Sequence, residues 1–171
     1  MTTSISTAWK RGAEFHRECN KFYDGHDYSV HLDMVRDVCR EFAHLIPVED
    51  FDSVDAACDY HDTIEDCGLN YNDVKKEIGF IGAEITRAVT SDVRGRTRKE
   101  RMSDQVYEDI RTTKYATFVK LCDRIANMRY SYANGSSMYG KYKAEYAYFK
   151  EKLFCEEYRE MFEHIENNLM F

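Results

Sequence analysis

The residues with the most chemistry in them lie in the run Tyr60-His61-Asp62-Thr63-Ile64-Glu65-Asp66, with one histidine upstream, His31, and one aspartate downstream, Asp123. A His-Asp doublet alone is common by chance. Here acids crowd behind it: continued as a helix, the run sets Asp62, Glu65 and Asp66 on one face within about one turn. Like charges at that spacing destabilise a helix by about 0.2–0.5 kcal/mol per pair. A divalent cation is the natural compensation.

Separate helices must carry these groups. His31, Val35, Val38 and Phe42 step by four, three and four, so His31 lies on the apolar stripe of a helix that ends near the only proline, Pro47. After Pro47, the acids and serine of Glu49-Asp50-Phe51-Asp52-Ser53 open the next helix. Its inward face is Val54, Ala57, Cys58 and His61, Asp62 stands beside it, and Gly68 stops it just after Asp66. Further on, Phe118, Leu121, Ile125, Met128 and Tyr132 form a core stripe. Lys120, Asp123 and Asn127 fall roughly 140° or more from its centre, on a face free for chemistry. Taken alone, a histidine on an apolar stripe is more often a hydrogen-bonded core residue. Two of them, with two aspartates, make a mixed nitrogen and oxygen donor set.

The remaining pattern is helical throughout. A first helix runs from Ile5 to about Tyr23, and Asp24-Gly25-His26-Asp27 is a turn whose Asp27, or the following Ser29, caps the His31 helix. Asn70-Tyr71-Asn72-Asp73 caps a short piece ahead of a buried helix marked by Ile78, Ile81, Ile85, Ala88 and Val89. A basic tract, Arg94-Gly95-Arg96-Thr97-Arg98-Lys99-Glu100-Arg101, then opens a helix through Tyr107 and Ile110. After Asn134-Gly135-Ser136-Ser137 one long final helix carries Tyr142, Tyr146, Phe149, Leu153, Phe162, Ile165 and Leu169 toward the core. No strand alternation or repeat interrupts this, so the fold class is all-α.

Composition bounds the rest. The 171 residues suit one domain with its own core. No apolar run reaches the ~18 residues of a membrane span, and the N-terminus lacks the apolar region of a secretory signal. Six scattered cysteines without a CxxC pair read as free thiols. The expectation is a soluble cytoplasmic protein, monomer or homo-oligomer. A net charge of −7 argues against nucleic acid as the main partner. Against that background the basic tract is the one place built to meet an anion.

The ordered set of motifs resembles the HD-domain metal phosphohydrolases, and within them the hydrolase domain of the RelA/SpoT alarmone enzymes and their small free-standing relatives. Four segments carry the resemblance, over about residues 8 to 133. They are Tyr28-Ser29-Val30-His31; the block from Ala56 to Asp66; Ile85-Thr86-Arg87-Ala88-Val89-Thr90; and Val119-Lys120-Leu121-Cys122-Asp123-Arg124-Ile125-Ala126-Asn127-Met128-Arg129. The sequence departs from the alarmone enzymes where Leu32-Asp33 replaces the proline usual after the first histidine, and where a basic pair ahead of it is reduced to Asn20-Lys21.

The resemblance implies an HD-domain helical bundle. It implies one divalent ion held by His31, His61, Asp62 and Asp123, manganese first, with zinc, iron and cobalt left open by the donor set. Glu65 and Asp66 match the pair that positions or deprotonates the attacking water, and Asn127 matches a residue on the nucleoside side. Lys21, His26, Arg98 and Lys99 are the candidates for holding the remaining phosphates of a small nucleotide substrate. The implied activity is hydrolysis of the 3′ pyrophosphate of (p)ppGpp. The alternatives are hydrolysis of another (deoxy)nucleotide or signalling nucleotide, and a non-catalytic nucleotide-binding protein on the same fold.

Overall fold

The protein is described here by a computed structural model covering residues 7–91, 95 and 97–171, with backbone only for Arg98 and Lys99. Arg94 and Arg96 of the basic tract, and Ile5 at the start of the first helix, lie outside the described residues. The helices are α1 (Thr7–Glu18), α2 (Ser29–Glu41), α3 (Val48–Tyr60), α4 (Thr63–Cys67), α5 (Tyr71–Val89), α6 (Arg98–Arg101), α7 (Asp104–Thr112), α8 (Ala116–Ala133), α9 (Ser137–Leu153) and α10 (Arg159–Asn168). The expected all-α architecture is what the chain adopts.

The organising element is α8. Its stripe residues Phe118, Leu121, Ile125 and Met128 are fully buried among α2, α3, α5 and α9, and burial of each such side chain contributes about 1.5–3 kcal/mol. Tyr132, expected on the same stripe, is exposed instead. Beneath the two predicted ligand helices, Arg36 of α2 ties them together. Its guanidinium reaches Asp55 at 3.2 Å and the fully buried Asp59 at 3.4 Å, both on α3.

Several boundaries differ from the pattern in the sequence. The first helix ends at Glu18 rather than near Tyr23, because Asn20 takes a left-handed φ of 54°. Asn20 N–H then donates to the Arg17 carbonyl and Lys21 N–H to the His16 carbonyl, at 3.0 and 2.9 Å, closing the helix end. The expected turn at 24–27 becomes a small hairpin, β1 (Phe22–Tyr23) against β2 (His26–Asp27). Positive φ at Asp24 and Gly25 supplies its tight reversal.

The helix expected to run through Asp66 breaks into α3 and α4 at His61-Asp62. There the Thr63 hydroxyl donates to the Tyr60 carbonyl at 2.7 Å, and the Asp62 carbonyl starts the next ladder by accepting from Asp66 N–H at 2.8 Å. The basic tract and the Tyr107 helix are likewise two pieces, separated where the Ser103 hydroxyl caps α7. The long final helix is also two. Phe154 turns extended, α10 folds back along α9, and the hydroxyls of Tyr139 and Tyr146 donate to the carbonyls of Leu169 and Phe162. The C-terminal aromatics Tyr142, Tyr146 and Tyr158 are buried, whereas Tyr148 is partly exposed.

Candidate metal centre and active site

Four side chains from three parts of the chain meet beside one cavity, His31, Asp62 and Asp123 lining it and the buried His61 against them. His31, on the first turns of α2, and His61, at the end of α3, turn their Nε2 atoms toward each other at 3.2 Å. Asp123 of α8 brings its Oδ1 to 3.4 Å from His31 Nε2 and 3.8 Å from His61 Nε2. Asp62, at the α3–α4 break, sets its Oδ2 2.9 Å from His61 Nε2 and 3.7 Å from His31 Nε2. The break carries chemical weight: it lets neighbours in sequence, His61 and Asp62, face the same point.

These donors suit a metal ion. Ligand atoms about 2.1 Å from a shared ion stand about 3.0–3.5 Å apart, close to the spacings here. His31, His61 and Asp123 each offer one atom, all within 4.8 Å of one another. The groups that hold them support the same reading. His61 Nδ1 donates to the Cys58 carbonyl at 2.8 Å, which leaves Nε2 for the centre. His31 is fixed by its ring face, since Tyr23 stacks on it with centroids 4.6 Å apart and planes 9° from parallel.

Without an ion the cluster is electrostatically tense. Burial opposes a charged imidazole at His61, yet the adjoining Asp62 carboxylate outweighs it and lifts His61 to about 9. Burial would likewise neutralise both aspartates. His61 beside Asp62 and Lys120 beside Asp123 keep each carboxyl below its ordinary range.

The cavity has a volume of about 200 Å³. Glu65 stands on its wall, accepting from Ser91 N–H at 3.3 Å and lying 3.7 Å from the Arg101 guanidinium. Lys120, also on the wall, is 3.3 Å from Asp123 Oδ2. Tyr23, Tyr28 and Tyr142 supply aromatic wall.

Other expected site residues are placed differently. Asp66 does not line the cavity; it is held by Lys21 at 2.8 Å, so the lysine expected to meet phosphate is engaged with a carboxylate. His26 is exposed on β2 and is not part of the cavity wall. The side chains of Arg98 and Lys99 lie outside the description. Asn127 lines the cavity, but its amide is already used: Nδ2 donates to Asp123 Oδ1 and Oδ1 accepts from the Tyr23 hydroxyl at 2.8 Å. Arg124, not singled out by its spacing, also borders the cavity, where its largely buried guanidinium lies over Tyr142 and Phe149 and pairs with Glu145 at 3.2 Å.

Sequence reasoning did not single out Tyr23, Ser91, Tyr142 or the role of Tyr28. Tyr28 had a signal, lying three residues before His31 and hence on its face of the chain. Tyr23 had none, because its position depends on the hairpin.

The chain matches no protein-family model. It is 30% identical over 92 residues to guanosine-3′,5′-bis(diphosphate) 3′-pyrophosphohydrolase MESH1 of Danio rerio, a match covering 54% of this chain and 50% of that protein. The match thus spans about half the length of this curated relative. A solved structure of a metazoan ortholog of SpoT, described as hydrolysing ppGpp and playing a role in starvation responses, superposes with a TM-score of 0.69 at 18% identity. That superposition covers 99% of this chain and 100% of the other. The chain therefore shares the all-α fold of that structure, and in sequence it is similar, over about half its length, to a ppGpp pyrophosphohydrolase.

Proposed function

We propose that this chain, as one HD domain over residues 1 to 171, is a metal-dependent phosphohydrolase that removes the 3′ pyrophosphate from (p)ppGpp. The observation that carries this reading is the convergence of donor atoms from His31, His61, Asp62 and Asp123 beside a cavity walled by Glu65. The similarity to a ppGpp 3′-pyrophosphohydrolase supports the choice of substrate.

In this reading the four residues hold one divalent ion, manganese first. When bound, such an ion polarises a phosphoryl oxygen and lowers the pKa of water. The chain's own groups do the rest. Glu65 takes the proton from the attacking water, and Ser91 N–H and Arg101 hold its carboxylate in place for that. Arg101 and Lys120, both on the cavity wall, neutralise charge on the phosphates. Tyr23 and Tyr142 give the nucleoside an apolar wall. Asp66 acts from outside the cavity, as the anchor that ties α4 to Lys21. Six unpaired thiols support a reducing, cytoplasmic setting, and no helix among the described residues is long and apolar enough to cross a membrane.

The test is turnover by the purified chain with manganese, against ppGpp, pppGpp and a panel of other nucleotides, with products separated by chromatography. GDP and pyrophosphate from ppGpp are expected. Turnover of other nucleotides alone would replace the substrate, and binding without turnover under every metal tried would replace the enzyme reading with a nucleotide-binding one.

A further inference from the structure

One part of the site neighbourhood is not explained by ligand, base or phosphate contacts: the pair His16 and Tyr28. His16, on α1, is fully buried. Its Nδ1 donates to the Gly12 carbonyl at 2.8 Å, and its Nε2 has no partner among the described residues. What the ring does have is a face-to-face partner. The imidazole lies on the Tyr28 phenol with centroids 3.9 Å apart and planes 2° from parallel.

Tyr28 is itself buried, and packs edge-on against both Tyr23 and His31 at 6.2 and 5.4 Å. Its ring therefore has one orientation. That orientation sends the hydroxyl to Asp62 Oδ2, a donation of 2.5 Å, and Oδ2 is the oxygen that faces both imidazole nitrogens.

We infer that Tyr28 is a positioning residue that fixes the Asp62 carboxylate for metal binding, and that His16 acts through Tyr28 by clamping its ring. This rests on the reading of Asp62 as a metal ligand. An aspartate has two soft torsions and two equivalent oxygens. At a chain break such as that between α3 and α4, its backbone neighbours do not define the rotamer. Among the described residues, Asp62 takes no capping hydrogen bond from the α4 backbone. The phenol supplies what the break leaves undefined: a donor in a fixed place that holds this oxygen inward alongside His61 Nε2, 2.9 Å away, and that remains on it when an ion takes the imidazole nitrogen. Ordering the ligand in advance removes an entropic cost from binding. Groups that hold ligands in this way alter metal affinity when removed.

The experiment titrates Mn²⁺ into the chelator-stripped full chain by calorimetry, with the melting temperature of each variant measured in parallel. Tyr28→Phe keeps the ring and its stack and deletes only the hydroxyl. It is expected to weaken Mn²⁺ binding about 10- to 100-fold. His16→Ala is expected to weaken it in the same direction, and to add no further loss in the Tyr28→Phe background, since the hydroxyl it holds is already gone. A general packing effect of His16 would instead lower affinity equally in both backgrounds, and that result overturns the clamp. Wild-type binding with Tyr28→Phe unchanged overturns the positioning role while leaving the metal reading standing. No Mn²⁺ binding by the wild type overturns the metal reading, and this inference with it.

Discussion

His61 Nδ1 donates to the Cys58 carbonyl at 2.8 Å, and the opposite nitrogen of the same ring lies 2.9 Å from Asp62 Oδ2. One edge of the imidazole is thus committed to the backbone of its own helix and the other to the centre. In the metal-free protein that second edge carries a proton, because Asp62 lifts the group to about 9 despite burial. An incoming ion must displace it. The sign follows: below about 9 the competing proton is bound, so apparent Mn²⁺ affinity rises with pH and levels off near that value. Calorimetric titrations in buffers of different ionisation enthalpy, between about pH 6.5 and 8.5, should give about one proton released per ion and about tenfold tighter binding per pH unit. A pH-independent affinity would mean that His61 is not displaced from its proton by the ion.

The acids of the His61 to Asp66 run should separate in function. Asp62→Ala and His61→Ala each remove a donor from the centre, and are expected to lose Mn²⁺ binding and activity together. Glu65 stands on the cavity wall with Ser91 N–H and Arg101 rather than with the imidazoles. Glu65→Gln should keep Mn²⁺ affinity within about threefold and lower kcat by about 10²–10⁴, the usual contribution of a general base. Metal loss in Glu65→Gln, seen by calorimetry, would show that Glu65 is a ligand and not the base.

How far the sequence disclosed this centre depends on what kind of information each residue needs. Helix stripes were readable: Val54, Ala57 and Cys58 are fully buried as their spacing requires, and Asp123 and Asn127 turn together to the cavity wall. Breaks without Gly or Pro were not. His61-Asp62 and Phe154-Cys155 each continue a helical pattern, and the chain bends there because other contacts replace the helical ladder, the local bond of the Thr63 hydroxyl to the Tyr60 carbonyl at one and the packing of Phe154 on Phe162 at the other. Long-range charge pairing was also invisible. Lys21 and Asp66 are 45 residues apart in sequence, and nothing local says that the lysine meets a carboxylate.

Arg101 is the cation of the basic tract whose side chain is seen on the cavity wall, half-exposed and 3.7 Å from Glu65. It is expected to serve substrate phosphate and to steady the base. Arg101→Ala should raise KM for ppGpp about tenfold, the value of one charge-assisted contact at a partly exposed site. The defect should shrink as ionic strength rises, since salt screens the wild-type advantage. Steady-state kinetics at two salt concentrations checks this. An unchanged KM would assign the phosphates to Lys120 and residues elsewhere in the tract.

The helix that carries His16 approaches α3 through a glycine, and this gives a stability prediction of defined sign. An exposed helical Gly→Ala normally gains about 1 kcal/mol, from helix propensity. Gly12 is different, because a Cβ placed there would lie 2.5 Å from the Asp59 carbonyl oxygen. The obstacle is main chain of a helix held by the Arg36 ion pairs, so it cannot rotate away as a side-chain end would. The α1 backbone must withdraw from α3, loosening His16 against Tyr28 as it goes. Overpacking of this kind costs about 1–3 kcal/mol, which exceeds the propensity gain. Gly12→Ala should therefore melt about 2–8 °C below the wild type, with weaker Mn²⁺ binding in the same preparation. A melting temperature at or above the wild type would show that α1 can shift on α3 at little cost, and that its contact at Asp59 does not set the position of the clamp.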